Sequence, residues 1–159
     1  MNEQKRPDNT QDTLEAISTL LHQITWNIRL DQLGTWSPRL QGMIQLDLHI
    51  LKLIAERPNI ILKDIADELQ IPSSTLTSAI NRLEKRGLLN RVISPRDRRS
   101  YGLKLTPKGK DIKAEHDRVD YMIAQKVRDG LTGDDEAQTL IALLDKICQL
   151  FEQDERPKF

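Results

Sequence analysis

A change of period at Gly87 constrains this chain more than any other feature. Before it, apolar residues recur at helical steps. Beyond it, Leu89/Arg91/Ile93 alternate with Asn90/Val92, and Leu103/Leu105 flank Lys104. A helical period does not fit a strand, nor a two-residue period a helix, so one small unit must join helices to a hairpin. Lys63 to Leu69 supplies Ile65, Ala66 and Leu69, two helical turns. The short turn Gln70-Ile71-Pro72 follows, and Ser73 is a suitable N-cap for a helix carrying Leu76, Ala79, Ile80 and Leu83 inward. Two helices so joined predict a helix-turn-helix. Gln70 stands where glycine is easier, which predicts backbone strain. Ser94 to Ser100 is the expected hairpin loop.

Helices are expected on both sides of this unit. Residues 1–10 read as a loose polar tail. From Asp12, the residues Leu14, Ile17, Leu21, Ile24 and Ile28 form one helical stripe, widened by Leu20, Leu30 and Leu33, and Gly34 is the expected stop. Ser37-Pro38 predicts the cap and first turn of a nearly all-apolar helix with Ile44, Leu48, Leu51 and Ala55, ending at Arg57-Pro58. Ile60-Ile61-Leu62 reads as a small strand or as the lead into the next helix. Thr106-Pro107 opens a helix that tolerates Gly109 and continues through Ile112, Val119, Ile123 and Val127. Leu131 to Asp135 breaks it. Leu140, Leu143, Leu144, Ile147 and Phe151 then mark a last helix.

Charge singles out the middle of the chain. The 159 residues are neutral overall, yet residues 82–110 carry ten Lys/Arg against Glu84 and Asp97. The flanks are net acidic, and screening over about 8 Å lets each region act locally. Three arginines and one aspartate follow one another at the hairpin tip, Arg96-Asp97-Arg98-Arg99. Such a basic patch beside a helix-turn-helix suits a polyanion. Ser73, Ser74, Thr75, Thr77, Ser78 and Arg82 face outward on the helix after the turn, and their short hydroxyls permit close approach to base edges in a major groove. An arginine projecting from the tip suits the narrow minor groove, with Asp97 steadying Arg99 by a bidentate pair. Double-stranded DNA is thus the expected partner. The alternative is a winged-helix module whose basic hairpin meets an acidic protein.

Other functions find little support. Phosphate-loop, nucleophile-elbow and zinc-protease motifs are absent, so no enzyme and no cofactor are expected. His22, His49 and His116 lack a metal-ligand spacing, so no metal is expected. Cys148, the single cysteine, reads as a packing residue. No apolar run reaches the roughly 18 residues of a membrane span, and the N-terminus lacks a signal peptide's apolar core. A cytoplasmic location with no membrane partner is the expectation.

The motifs also resemble a known family. Leu62-x-x-Ile65-Ala66-x-x-Leu69, Leu83-Glu84-x-x-Gly87-Leu88 and Asp97-Arg98-Arg99-Ser100-x-x-Leu103-x-Leu105-Thr106-x-x-Gly109 are similar to the winged-helix core of the multiple-antibiotic-resistance-regulator (MarR) family. Nearly the whole chain is compatible with that family's arrangement. The resemblance implies an α+β, mainly α fold: a winged helix-turn-helix with N- and C-terminal dimerisation helices. It implies a flexible tail over 1–10, a helical dimerisation region over 11–36 and 107–159, and a DNA-binding lobe over 37–106. It further implies a homodimer on near-palindromic DNA, Asp97 and Arg99 as the minor-groove pair, and regulation of transcription, with repression the expected sense. Ser94 stands where the family often has aspartate, which leaves this wing more basic. Gly102 predicts a bulge in the second wing strand. Release by a small aromatic or anionic effector is a further implication, with Trp26, Arg29, Trp36, Arg39, Met43 and His49 as the candidate cleft.

Overall fold

A computed structural model describes residues 9–29, 32–94 and 101–153. Six α-helices and one two-stranded antiparallel sheet are present among them, giving a mainly helical α+β fold. The chain divides into two compact units, Met1–Val119 and Asp120–Phe159.

In the first unit, α1 (Asn9–Ile28) ends earlier than Gly34. The left-handed exit is Arg29 (φ 51°), and the Trp36 indole N–H donates to the Ile28 carbonyl at 2.6 Å. Gly34 instead lies in a single 3-10 turn, Leu33–Thr35, where a side chain would strike Gln41. Ser37-Pro38 is a cap and first-turn proline, as expected. The element that it opens is a second 3-10 turn, Pro38–Leu40, with the Ser37 hydroxyl accepting from the Arg39 N–H at 3.3 Å.

α2 (Gln45–Glu56) therefore starts later, and it stops at Arg57 in extended geometry, before Pro58. α3 (Leu62–Leu69) and α4 (Ser73–Lys85) form the helix-turn-helix. Both α2 and α3 have an extended isoleucine as N-cap. Isoleucine offers no cap oxygen, so only the return bond from the third helical residue forms: Asp47 accepts from Ile44 N–H (3.5 Å) and Asp64 from Ile61 N–H (3.3 Å). Gln70 does adopt the left-handed conformation (φ 51°) between α3 and α4. Ser73 is the first residue of α4 and Pro72 its cap, one position from the expectation. Gly87 (φ 71°) ends the helix in the left-handed geometry that glycine permits.

β1 (Leu89–Ile93) and β2 (Tyr101–Leu105) pair in unbroken register from Leu89↔Leu105 to Ile93↔Tyr101, so Gly102 sits opposite Val92 without a bulge. Ile61 bridges Gly102, and the Leu103 N–H donates to Ile60 at 3.3 Å. Ile60-Ile61 is thus a strand reduced to one bridge. The core of this unit gathers Leu48, Ile50, Leu51, Ile65, Leu76, Ile80, Leu83, Leu88 and Leu89, all essentially sealed from water. α5 (Pro107–Asp129) is anchored by Thr106, whose hydroxyl donates to Gly87 O (2.7 Å) and accepts from Gly109 N–H (3.0 Å). A Cβ on Gly109 would lie 2.9 Å from the Leu88 carbonyl carbon, so close packing demands glycine here.

The second unit comprises the end of α5 and α6 (Asp134–Gln153). Asp134, Asp135 and Glu136 complement the positive end of α6, and Glu136 accepts the Thr132 N–H at 2.8 Å. That hydrogen bond holds the Glu136 carboxyl below its ordinary range. No described helix is long and apolar enough to cross a membrane.

Candidate nucleic-acid interface

α4 has two opposite faces, and their contrast defines the site. Leu76, Ala79, Ile80 and Leu83 are buried, which fixes this helix on the core. Ser73, Ser74, Thr75, Thr77 and Ser78 all lie exposed in its first two turns. Thr77 and Ser78 donate back to the carbonyls of Ser73 (2.7 Å) and Ser74 (3.0 Å), leaving each oxygen with acceptor capacity outward. The result is a narrow polar ridge of small side chains with no acidic residue on it.

The positive charge near α4 is less free than the sequence suggests. Arg82, expected on the outward face, keeps a side chain 41% exposed and also pairs with Asp47 of α2: its Nε donates to Oδ2 at 3.4 Å and a terminal nitrogen bonds Oδ1. Arg86 donates to the backbone carbonyls of Gly42 (2.7 Å) and Gln41 (3.2 Å). Arg91 of β1 grips Glu84 and, at 2.6 Å, Asn81, tying the hairpin to α4. Lys108 donates to the Arg86 carbonyl at 2.9 Å. Lys85 and Lys104 remain exposed and make no ion pair among the described residues. Arg96, Asp97, Arg98 and Arg99 lie outside the described residues, between β1 and β2.

Asp47 and Arg91 were missed by reasoning from sequence. Asp47 did leave a signal: it shares one helical stripe with Ile50, Leu51 and Ile54, and a carboxylate on a buried stripe needs a cation. Nothing local pointed from Arg91 to Glu84.

The six cleft residues are scattered in their environments. Trp26 is 67% exposed, with the Arg29 guanidinium 5.9 Å from its ring centroid. Trp36 is half-buried, and the His49 ring nitrogen lies 2.9 Å from the Gln45 carbonyl of its own helix. Arg39 pairs with Glu115 at 3.8 Å. Buried Met43 lines a hollow of about 520 Å³ together with Gln32 to Thr35, Gln41, Gly42 and Ile44. No cluster of three or more metal-ligating side chains occurs among the described residues.

Comparison with known proteins decides the family. A model described as "MarR family" matches residues 45–101, the segment from α2 to the start of β2. The chain belongs to the MarR family. A relative in Thauera aromatica, named as the transcriptional regulatory protein for the hcr operon, is 32% identical over 113 residues, 70% of the chain. The chain spans 62% of that relative's length. Wild-type MarR of E. coli in its apo form is 27% identical, with a TM-score of 0.63 over 82% of the chain and 95% of that protein. The crystal structure of Streptococcus pneumoniae FabT in complex with DNA is 23% identical and shares the fold at a TM-score of 0.72, over 91% and 99% of the two chains. Within this MarR-family chain the matched segment holds the polar ridge of α4, Asp47 and the β1 arginine.

Proposed function

We propose that this MarR-family chain is a DNA-binding transcriptional repressor that acts in the cytoplasm as a homodimer on near-palindromic duplex DNA. The observation that carries the reading is the ridge Ser73, Ser74, Thr75, Thr77 and Ser78, exposed on a helix whose opposite face is fully buried. A helix held so rigidly presents small hydroxyls at one fixed distance from the lobe, which suits base edges in the major groove. Lys85 and the hairpin basics supply phosphate contacts, and Arg99, steadied by Asp97, enters the adjacent minor groove. The dimer is formed by α1 and α6, which expose Leu14, Ile17, Leu21 and Ile24, and Leu144, Ile147 and Leu150 respectively. That FabT was crystallised with DNA supports the same partner for this chain. An effector acts on this assembly only by binding its free and DNA-bound forms unequally.

Selection of duplexes from a random 30-bp library tests the reading. Recovery of a near-palindromic duplex, bound at least tenfold more weakly by Arg99→Ala with dimer and helicity intact, is the expected result. Unchanged affinity in Arg99→Ala removes the minor-groove role. Failure of the wild type to retain any duplex removes DNA as the partner.

A further inference from the structure

One charge under α4 plays no part in the reading above. Asp47 is 0% exposed, yet it lies directly beneath the helix whose outer ridge is proposed to read DNA. Its carboxylate accepts the Ile44 N–H and both of its oxygens accept from Arg82, 35 residues further on. A planar guanidinium held at two points on a carboxylate fixes direction as well as distance. The pair therefore adds a directional restraint on the roll of α4 about its own axis to the restraint of its buried apolar face. Hydroxyls on α4 stand on the order of 5 Å from that axis, so a roll of about 20° displaces them by roughly 1.5–2 Å, beyond what a hydrogen bond tolerates. Arg82 is also not at liberty: withdrawing it toward a phosphate leaves a buried carboxylate without its cation.

We infer that Asp47 and Arg82 are positioning residues for DNA recognition: the pair sets the angle at which Ser74, Thr75, Thr77 and Ser78 meet the base edges, and Arg82 touches no phosphate. This rests on the DNA-binding reading. Arg86 and Arg91 act in the same sense at the far end of the helix, one on the Gln41–Gly42 carbonyls and the other on Asn81 and Glu84.

The test uses the full chain and two fluorescent 30-bp duplexes, one selected by the wild type and one scrambled, titrated between 50 and 300 mM KCl. Arg82→Ala and Arg82→Lys are compared, the second keeping the charge if the first does not fold. The expected result is a loss of at least about tenfold in affinity for the selected duplex, with scrambled-duplex affinity and the slope of log K against log salt unchanged. Asp47→Asn should lower the selected-to-scrambled ratio in the same way. A slope reduced by about 0.9 in Arg82→Ala, with both duplexes weakened, identifies a phosphate contact and overturns the inference. A lower melting temperature with both affinities retained identifies a merely structural pair and overturns it too. Absence of wild-type binding to either duplex is a separate outcome and falls on the DNA reading itself.

Discussion

At the scale of single residues, two positions carry sharp consequences. Gly109 lies in the first turn of α5 against the Leu88 carbonyl, and an added Cβ has only backbone to push against. Alanine normally gains about 1 kcal/mol over glycine inside a helix. Overpacking against an immovable neighbour costs about 1–3 kcal/mol, and a backbone clash lies at the upper end. Gly109→Ala should therefore destabilise by about 1–2 kcal/mol net, read from urea midpoints; a stabilised variant contradicts the close approach. Glu115 is buried beneath Arg118, Ser37 and Arg39, and the Arg118 hydrogen bonds lead in drawing its carboxyl from 4.5 down to about 2. A lowered native pKa means that the ionised form favours folding. The contribution is complete above about pH 4.5 and fades as pH falls toward 2. Glu115→Gln should thus melt below the wild type at pH 7, with the gap closing between pH 4.5 and 2; a gap constant with pH contradicts the assignment. The same scale shows why counting charges misleads. Arg82 and Arg86 contribute to the sequence's basic patch, but their partners lie 35 to 45 residues away and no local pattern announces them.

Among the elements, the ones set by strong periodicity were legible. α2 to α4, the two hairpin strands and the left-handed Gln70 follow from apolar spacing and turn chemistry, whereas the bulge expected at Gly102 is absent from the register. The segment 29–44 was not legible. Its two 3-10 turns are decided by tertiary bonds, such as Trp36 to the Ile28 carbonyl and Arg86 to Gly42, which outweigh the glycine and proline signals nearby. Ser37-Pro38 gave the cap correctly and the wrong kind of helix for the same reason. α1 and α6 raise the opposite case, since their apolar stripes are present as read but remain about half exposed, with Ile24 at 52% and Leu144 at 50%. Stripes of this length are stable only when covered. A charge placed in them should abolish assembly without unfolding the winged lobe. Ile24→Glu and Leu144→Glu are each expected to shift the protein from dimer to monomer in sedimentation at micromolar concentration; a wild-type monomer contradicts the homodimer.

On the scale of the whole molecule, a neutral chain separates its charges, with a basic middle between net acidic flanks. The first unit contains the buried anchor of α4 and the ridge above it. α1 and α6 supply apolar surface and carry no comparable basic patch. Two copies of one lobe on a duplex must repeat their contacts at the DNA's helical spacing, because the protein's symmetry is imposed on its site. Hydroxyl-radical footprinting of the selected duplex measures this directly. Two protected windows related by a two-fold axis are expected, centred about one helical turn (about 10–10.5 bp) or a multiple of it apart, with minor-groove protection beside each major-groove site. A single unpaired window, or protection spread evenly along the duplex, would contradict this arrangement.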